Sequence, residues 1–248
     1  MQFPRLRPPR LAVWRSLTEL QVGGLDYCVI LQQAPPSLAT VVTCLDGYHH
    51  VDELRTYCSP AVVDELLETL LDLNQLTDGP QEPTTVHTHV VGHGGLARHL
   101  KNRLGSWEQT QHAPQVCMVA PSTFETDRVL AYDLTQRGVP HVIVKAHEQK
   151  ASVGPWVIPG LSSCLKCSDL TRRDLDPTWP LQVFQFFHTR VHPPMELIDW
   201  ATAVALAHLR AYARGLPPES LFTSIEMDGV TGRVTYREIP FHPHCECH

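Results

Sequence analysis

Residues 88–104 read Thr88-His89-Val90-Val91-Gly92-His93-Gly94-Gly95-Leu96-Ala97-Arg98-His99-Leu100-Lys101-Asn102-Arg103-Leu104. Thr88–Val91 is a short β-rich run, a glycine turn follows, and Leu96–Leu104 reads as a helix. A nucleotide phosphate sits at such a turn when one is bound, because free backbone N–H groups and the helix dipole hold an anion there. A tight strand-to-helix turn that needs glycine for close packing has the same sequence. Gly92, Gly94 and Gly95 are therefore candidate nucleotide-binding residues, with Arg98 and Arg103 as nearby cations. Cations on an amphipathic helix also serve as a plain solvated face. Downstream, Val116–Val119 is a second buried strand, Thr126–Gln136 a helix ending at Gly138, and Val142–Val144 a third strand. Strand–helix alternation with short loops predicts an α/β fold, a doubly wound, parallel, Rossmann-like sheet. Glu196–Ala213 is a long apolar helix, and Ser224–Met227 and Arg233–Glu238 flank D-G-V-T-G as a hairpin.

Upstream, residues 1–76 read as a separate small α+β domain. Leu11–Trp14, Thr18–Val22 and Tyr27–Leu31 are short strands. A helix opened by Pro35-Pro36 runs through Leu38, Val41, Val42 and Leu45 to Gly47. A second spans Val51–Tyr57, entered by Asp52. Ser59 caps the third, Pro60 takes its first turn, and Val62, Val63, Leu66, Leu67, Leu70, Leu71 and Leu73 form its apolar face. Three strands and three helices suggest a winged-helix-like module. Residues 77–85, TDGPQEPTT, read as a linker, and residues 86–248 form the second domain.

Four of the eight cysteines make a metal pattern: Cys164-x-x-Cys167 and, near the end of the sequence, Cys245-x-Cys247. Two close pairs on distant segments suit a tetrathiolate zinc site that ties the last residues to the body of the domain. His242, His244 or His248 could replace one of the thiolates. Four ligands close the tetrahedron, which makes the zinc structural. The other cysteines, Cys28, Cys44, Cys58 and Cys117, read as ordinary buried residues.

Composition excludes several classes. Net charge of -6 gives no footprint for nucleic acid or an anionic membrane. The basic cluster Arg5, Arg7, Arg10 and Arg15 reads as a solvated arm. The third helix, AVVDELLETLLDLN, is acidic, which opposes DNA-groove binding and favours a peptide that adds as a strand beside the ribbon. No apolar run reaches membrane-span length, and MQFPRLRPPR lacks the apolar core of a signal peptide, so a cytoplasmic protein with reduced thiols is expected. No G-x-S-x-G or H-E-x-x-H occurs, and no residue stands out as catalytic.

The succession of G-x-G-G-L, V-C-M-V-A-P, G-V-P-H-V, G-P-W-V-I-P-G, C-L-K-C and C-E-C resembles the ThiF/MoeB/E1-like superfamily over residues 86–248. Within it, the sequence is most similar to the stand-alone E1-like leader-peptide-binding proteins of actinobacteria that accompany azoline cyclodehydratases. The resemblance implies structural zinc, a homodimer, and an amino-terminal peptide clamp serving a partner modification enzyme. It also implies ATP and magnesium, for adenylating a peptide or ubiquitin-like C-terminus. The family's active members place a magnesium-binding aspartate just after the second strand, where this chain has Val119-Ala120-Pro121-Ser122-Thr123; Asp127 comes about one helical turn late. Glu108 is the sole acidic candidate for the ribose, and the S-N-L-x-R-Q segment is missing. Without a metal ligand and cationic clamps, developing phosphate charge is not stabilised. The expectation is a degenerate scaffold that binds peptide without adenylating it.

Overall fold

Hydrophobic residues build separate cores in two units, Met1–Pro83 and Thr84–His248. The computed structural model describes residues 1–7, 10–24, 28–79, 86–107 and 115–247.

The first unit contains strands β1 (Pro4–Leu6), β2 (Ala12–Trp14), β3 (Leu20–Gly23) and β4 (Cys28–Leu31), helices α1 (Leu38–Thr43), α2 (Val51–Tyr57) and α3 (Pro60–Asp72), and strand β5 (Leu76–Asp78). β2, β3 and β4 form an antiparallel ribbon with β3 central. Val63, Leu66 and Leu70 lie on one face of α3 and are buried with Leu20 and Val22 of β3 and Val41 and Val42 of α1. Two details differ from expectation. The side chain of His50, not Asp52, caps α2, accepting the Asp52 N–H at 3.2 Å. Ser59 precedes α3 without a side-chain capping bond.

The basic amino-terminal segment is not a free arm. β1 pairs antiparallel with β5, setting Arg5 opposite Thr77, and the Arg7 guanidinium donates to Asn74 Oδ1 at 3.2 Å. Backbone pairing needs no apolar side chain, so charge alone misjudged this stretch. The same pairing takes Thr77 and Asp78 out of the expected linker; residues 80–85 lie outside the described residues.

The second unit contains β6 (Thr88–Val91), α4 (Gly95–Leu104), β7 (Val116–Val119), α5 (Arg128–Gln136), β8 (His141–Ala146), β9 (Lys150–Val157), α6 (Leu165–Leu175), α7 (Trp179–His188), α8 (Met195–Ala213), β10 (Thr223–Asp228) and β11 (Val234–Glu238). They build a six-stranded sheet in the order β11-β10-β9-β8-β7-β6. β6, β7 and β8 are parallel, whereas β9, β10 and β11 each run antiparallel to their neighbours. The sheet is therefore mixed, not wholly parallel. Residues 147–149 are too few for the crossover that parallel strands require, so β9 turns straight back along β8.

α4 and α8 pack on one face of this sheet through Leu96, Leu100, Leu197, Ala201 and Leu209. α5 covers the other, where Leu134 meets Cys117, Val119 and Ile143. The apolar side of α8 is thus spent in the core. β9 is almost wholly buried and coincides with much of the G-P-W-V-I-P-G segment. Gly154 is required there: a Cβ would lie 2.2 Å from the Thr223 carbonyl oxygen of β10.

Candidate functional site

The sequence that leaves β9 runs into α6, placing Cys164 just before the helix and Cys167 in its first turn. The carboxy-terminal residues return beside them. Ser163 Oγ donates to the Ile239 carbonyl, and His242 Nε2 meets Asp174 Oδ2 at 2.9 Å. The sulfurs of Cys164, Cys167, Cys245 and Cys247 consequently all lie within 4.8 Å of one another. Cys164 and Cys245 are 3.7 Å apart, and Cys167 and Cys247 3.4 Å. Tetrahedral zinc with Zn–S bonds of about 2.3 Å separates its sulfurs by about 3.8 Å, so the donor set fits that ion.

The thiols are electrically coupled. Their shared hydrogen bond raises Cys164 and holds Cys167 down to about 4. Burial pushes Cys247 up to about 12. A central dication would let all four ionise. Of the three histidines that could have replaced a cysteine, His242 is bonded to Asp174 and His248 lies outside the described residues. Elsewhere, Cys117 is buried as expected, but Cys44 and Cys58 are half-buried and Cys28 is exposed on the ribbon. The alternating pattern of a strand with one open face overrides its apolar composition.

The glycine turn links β6 to α4. Gly92 adopts φ 140°, and a Cβ there would lie 1.9 Å from the Ala120 carbonyl oxygen after β7. Gly94 precedes α4 at φ 91°. Close backbone approach therefore demands Gly92 whether or not a phosphate binds. Gly94, Gly95 and Ser122 line a cleft of about 310 Å³ with Arg190, Val191, His192 and Ile198. Backbone bonds bring that second wall in, from Val191 N–H to the Ser122 carbonyl and from Phe124 N–H to that of Thr189.

No aspartate or glutamate lines this cleft among the described residues. Glu148 is near, but its Oε1 accepts the backbone N–H of His192 at 2.8 Å. Asp127 caps α5, accepting from the Val129 N–H at 2.8 Å. Arg98 is exposed on α4, and Arg103 lines a different cleft with Trp107, Leu206 and Arg210. Glu108 lies outside the described residues. Sequence reading missed Arg190 and His192, since only the tertiary fold carries the α7–α8 connection to the turn.

It also missed a charged network on the α5–α6 side. Glu125 accepts from Lys145 at 2.8 Å and from Arg128 at 2.9 Å. Arg128 also makes two bonds to Asp169, at 2.8 and 2.9 Å, and the Trp179 indole donates to the same carboxylate at 2.9 Å. Burial alone would raise Glu125, but the pull of Lys145 and Arg128 overcomes it and brings the carboxyl down to about 2. Burial lowers Lys145. A lone lysine in the apolar run His141-Val142-Ile143-Val144-Lys145-Ala146 was the available signal.

No protein-family model and no curated protein matches the sequence. Solved structures do match. The heterocyclase TruD superposes at a TM-score of 0.75 with 12% identity, over 100% of this chain and 43% of its own. A heterocyclase solved with substrate and cofactor gives 0.71 and 12%, over 100% of this chain and 39% of its own. The chain shares the fold of these heterocyclase structures. Escherichia coli MccB, solved with MccA-N7isoASN, gives 0.63 and 11%, over 100% of this chain and 99% of its own. The chain thus spans about two fifths of the heterocyclases it resembles and nearly all of MccB. No helix among its described residues is long and apolar enough to cross a membrane.

Proposed function

We propose that this protein captures a leader or substrate peptide for a partner modification enzyme, on a zinc-stabilised E1-like scaffold that lacks full adenylation machinery. The observation that carries the binding role is the open ribbon of the first unit. β4 pairs only with β3 among the described residues, and its exposure alternates, with Cys28 and Ile30 outward. Such an edge accepts a peptide as an added strand, main-chain bonds giving affinity and outward pockets giving selectivity. Glu65, Glu68 and Asp72 are exposed at helical spacing on α3, which disfavours a nucleic acid. Residues 1–76, extended through β5 to Asp78, act in this reading as a winged-helix-like peptide clamp, and residues 86–248 as the scaffold.

That no carboxylate lines the cleft among the described residues supports the non-catalytic half of the proposal. An in-line phosphoryl or adenylyl transfer needs a metal ligand close to the phosphates. Two copies are expected to associate as a homodimer, which sedimentation would test.

An adenylyltransferase is the second reading, favoured by Arg190 and His192 beside the α4 N-terminus. One experiment separates the two. Candidate precursor peptides encoded beside this gene are titrated by fluorescence anisotropy, then assayed for ATP–pyrophosphate exchange. Saturable binding, weakened at least about tenfold by Ile30→Asp and without exchange, supports capture. Exchange that Gly94→Asp abolishes would establish the adenylyltransferase instead.

A further inference from the structure

The charged network around Glu125 leaves one cation over. Glu125 serves Lys145 and Arg128, and Asp169 serves Arg128 and Trp179. Glu226 serves Lys150 at 2.7 Å and Arg237 at 2.8 Å. Arg172 is half-buried, its guanidinium carbon is 4.5 Å from the centre of the Trp179 ring, and its guanidinium makes no hydrogen bond or ion pair to any described residue. Five cations (Arg128, Lys145, Lys150, Arg172, Arg237) thus face three carboxylates. Burial, and then the like charge of Arg237, hold the Arg172 guanidinium below its usual range. Glu125, Asp169 and Glu226 act on it through space in the opposite sense, but none of them bonds to it.

Geometry says what kind of counter-charge. A guanidinium stacked on an aromatic face keeps its planar N–H edge free, and that edge matches two oxygens of a carboxylate. Arg172 lines a narrow cavity of about 20 Å³ in which four cations, Arg128, Lys145, Arg172 and Arg237, face the two carboxylates of Glu125 and Asp169. A single water needs roughly 10–15 Å³ of such space, so the cavity takes a group of a few atoms and excludes a triphosphate. An excess of positive charge in a half-buried pocket favours an anion over water as the acceptor.

We propose that Arg172, seated on Trp179 and backed by Arg237, forms a binding site for a single carboxylate. The site lies wholly within the second unit, apart from the glycine cleft, and does not depend on the ribbon-edge reading. Its ligand is either a peptide carboxylate or a free small organic acid, and the test tells these apart.

The full-length protein is titrated with acetate against sodium chloride at matched ionic strength, following the Arg172 Nε–H resonance and Trp179 fluorescence. A saturable change with acetate is expected, weakened at least about tenfold by Arg172→Gln and untouched by Arg137→Gln. Trp179→Phe identifies the fluorescence signal. Two copies of one peptide without acidic side chains, with free and amidated C-termini, are then used as competitors. Competition by the free acid alone assigns the site to a peptide terminus; competition by neither assigns it to a small free acid. A wild-type response that does not saturate, or that Arg172→Gln shares, overturns the site. The resonance is read in the wild-type protein, so the test survives a variant that fails to fold.

Discussion

The cysteine cluster and the glycine cleft belong to the same unit, yet among the described residues one is chemically complete and the other is not. At the cysteines, two distant segments deliver four donors at metal-site spacing. At the cleft the backbone geometry is present in full, but no carboxylate lines it among the described residues. A glycine turn can be required by packing alone: Gly92 is fixed by the Ala120 carbonyl. A cluster of four thiols, three buried and one half-buried, has no comparable packing reason. The cysteines are therefore informative about chemistry, and the glycines chiefly about shape.

The sharpest way to break this contrast is Cys245→Ser. Structural zinc contributes its binding free energy to folding, so losing one thiolate should empty the site and remove several kcal/mol. At roughly 2–4 °C per kcal/mol for a chain of this size, melting should fall by about 10 °C or more. Bound metal, measured by elemental analysis, should drop from about one per chain to near zero. Unchanged metal content and melting would show that the cluster is no clamp.

Gly92→Ala comes next. It places a Cβ against Ala120 and forces an L-residue to φ 140°. The expected cost is about 3 kcal/mol or more, read from urea unfolding. A variant that unfolds like wild type would make the glycine functional after all.

The third prediction concerns the carboxylate this loop does carry. Glu125 lies three residues beyond Ser122 and is bound to Lys145 and Arg128. Its folded-state value, about 2, is below the ordinary value of 4.5. Its stabilisation is therefore present above about pH 4.5 and lost as pH falls toward 2, worth on the order of 3 kcal/mol. Glu125→Gln should flatten stability over that window. A profile that stays parallel to wild type there would mean that Glu125 is not so held.

Much of the architecture was legible because it rests on local signals. Thr88–Val91, Val116–Val119, Val51–Tyr57 and the paired cysteines appear at the expected positions. What escaped depends on partners distant in sequence. β1 is a strand only because β5 lies beside it, and β9 looked like a motif because glycine and proline interrupt it. α6 and α7 carry polar and aromatic residues without a clean apolar stripe. Arg190 reaches the cleft, and Arg128 reaches Asp169, by way of tertiary contacts that no spacing encodes.

Arg98→Ala should do least. If the cleft held a triphosphate on cations supplied by α4, removing one would weaken nucleotide binding by a kcal/mol or more, since charge-assisted bonds are worth about 1.5–3 kcal/mol. In the structure Arg98 is exposed and does not line the cleft. Exposed surface substitutions usually change stability by no more than about 0.5 kcal/mol. Unfolding and any residual nucleotide affinity, measured by calorimetry, should therefore match wild type. A tenfold loss of ATP affinity in this variant alone would move α4 into a nucleotide site and erase the contrast with the cysteines.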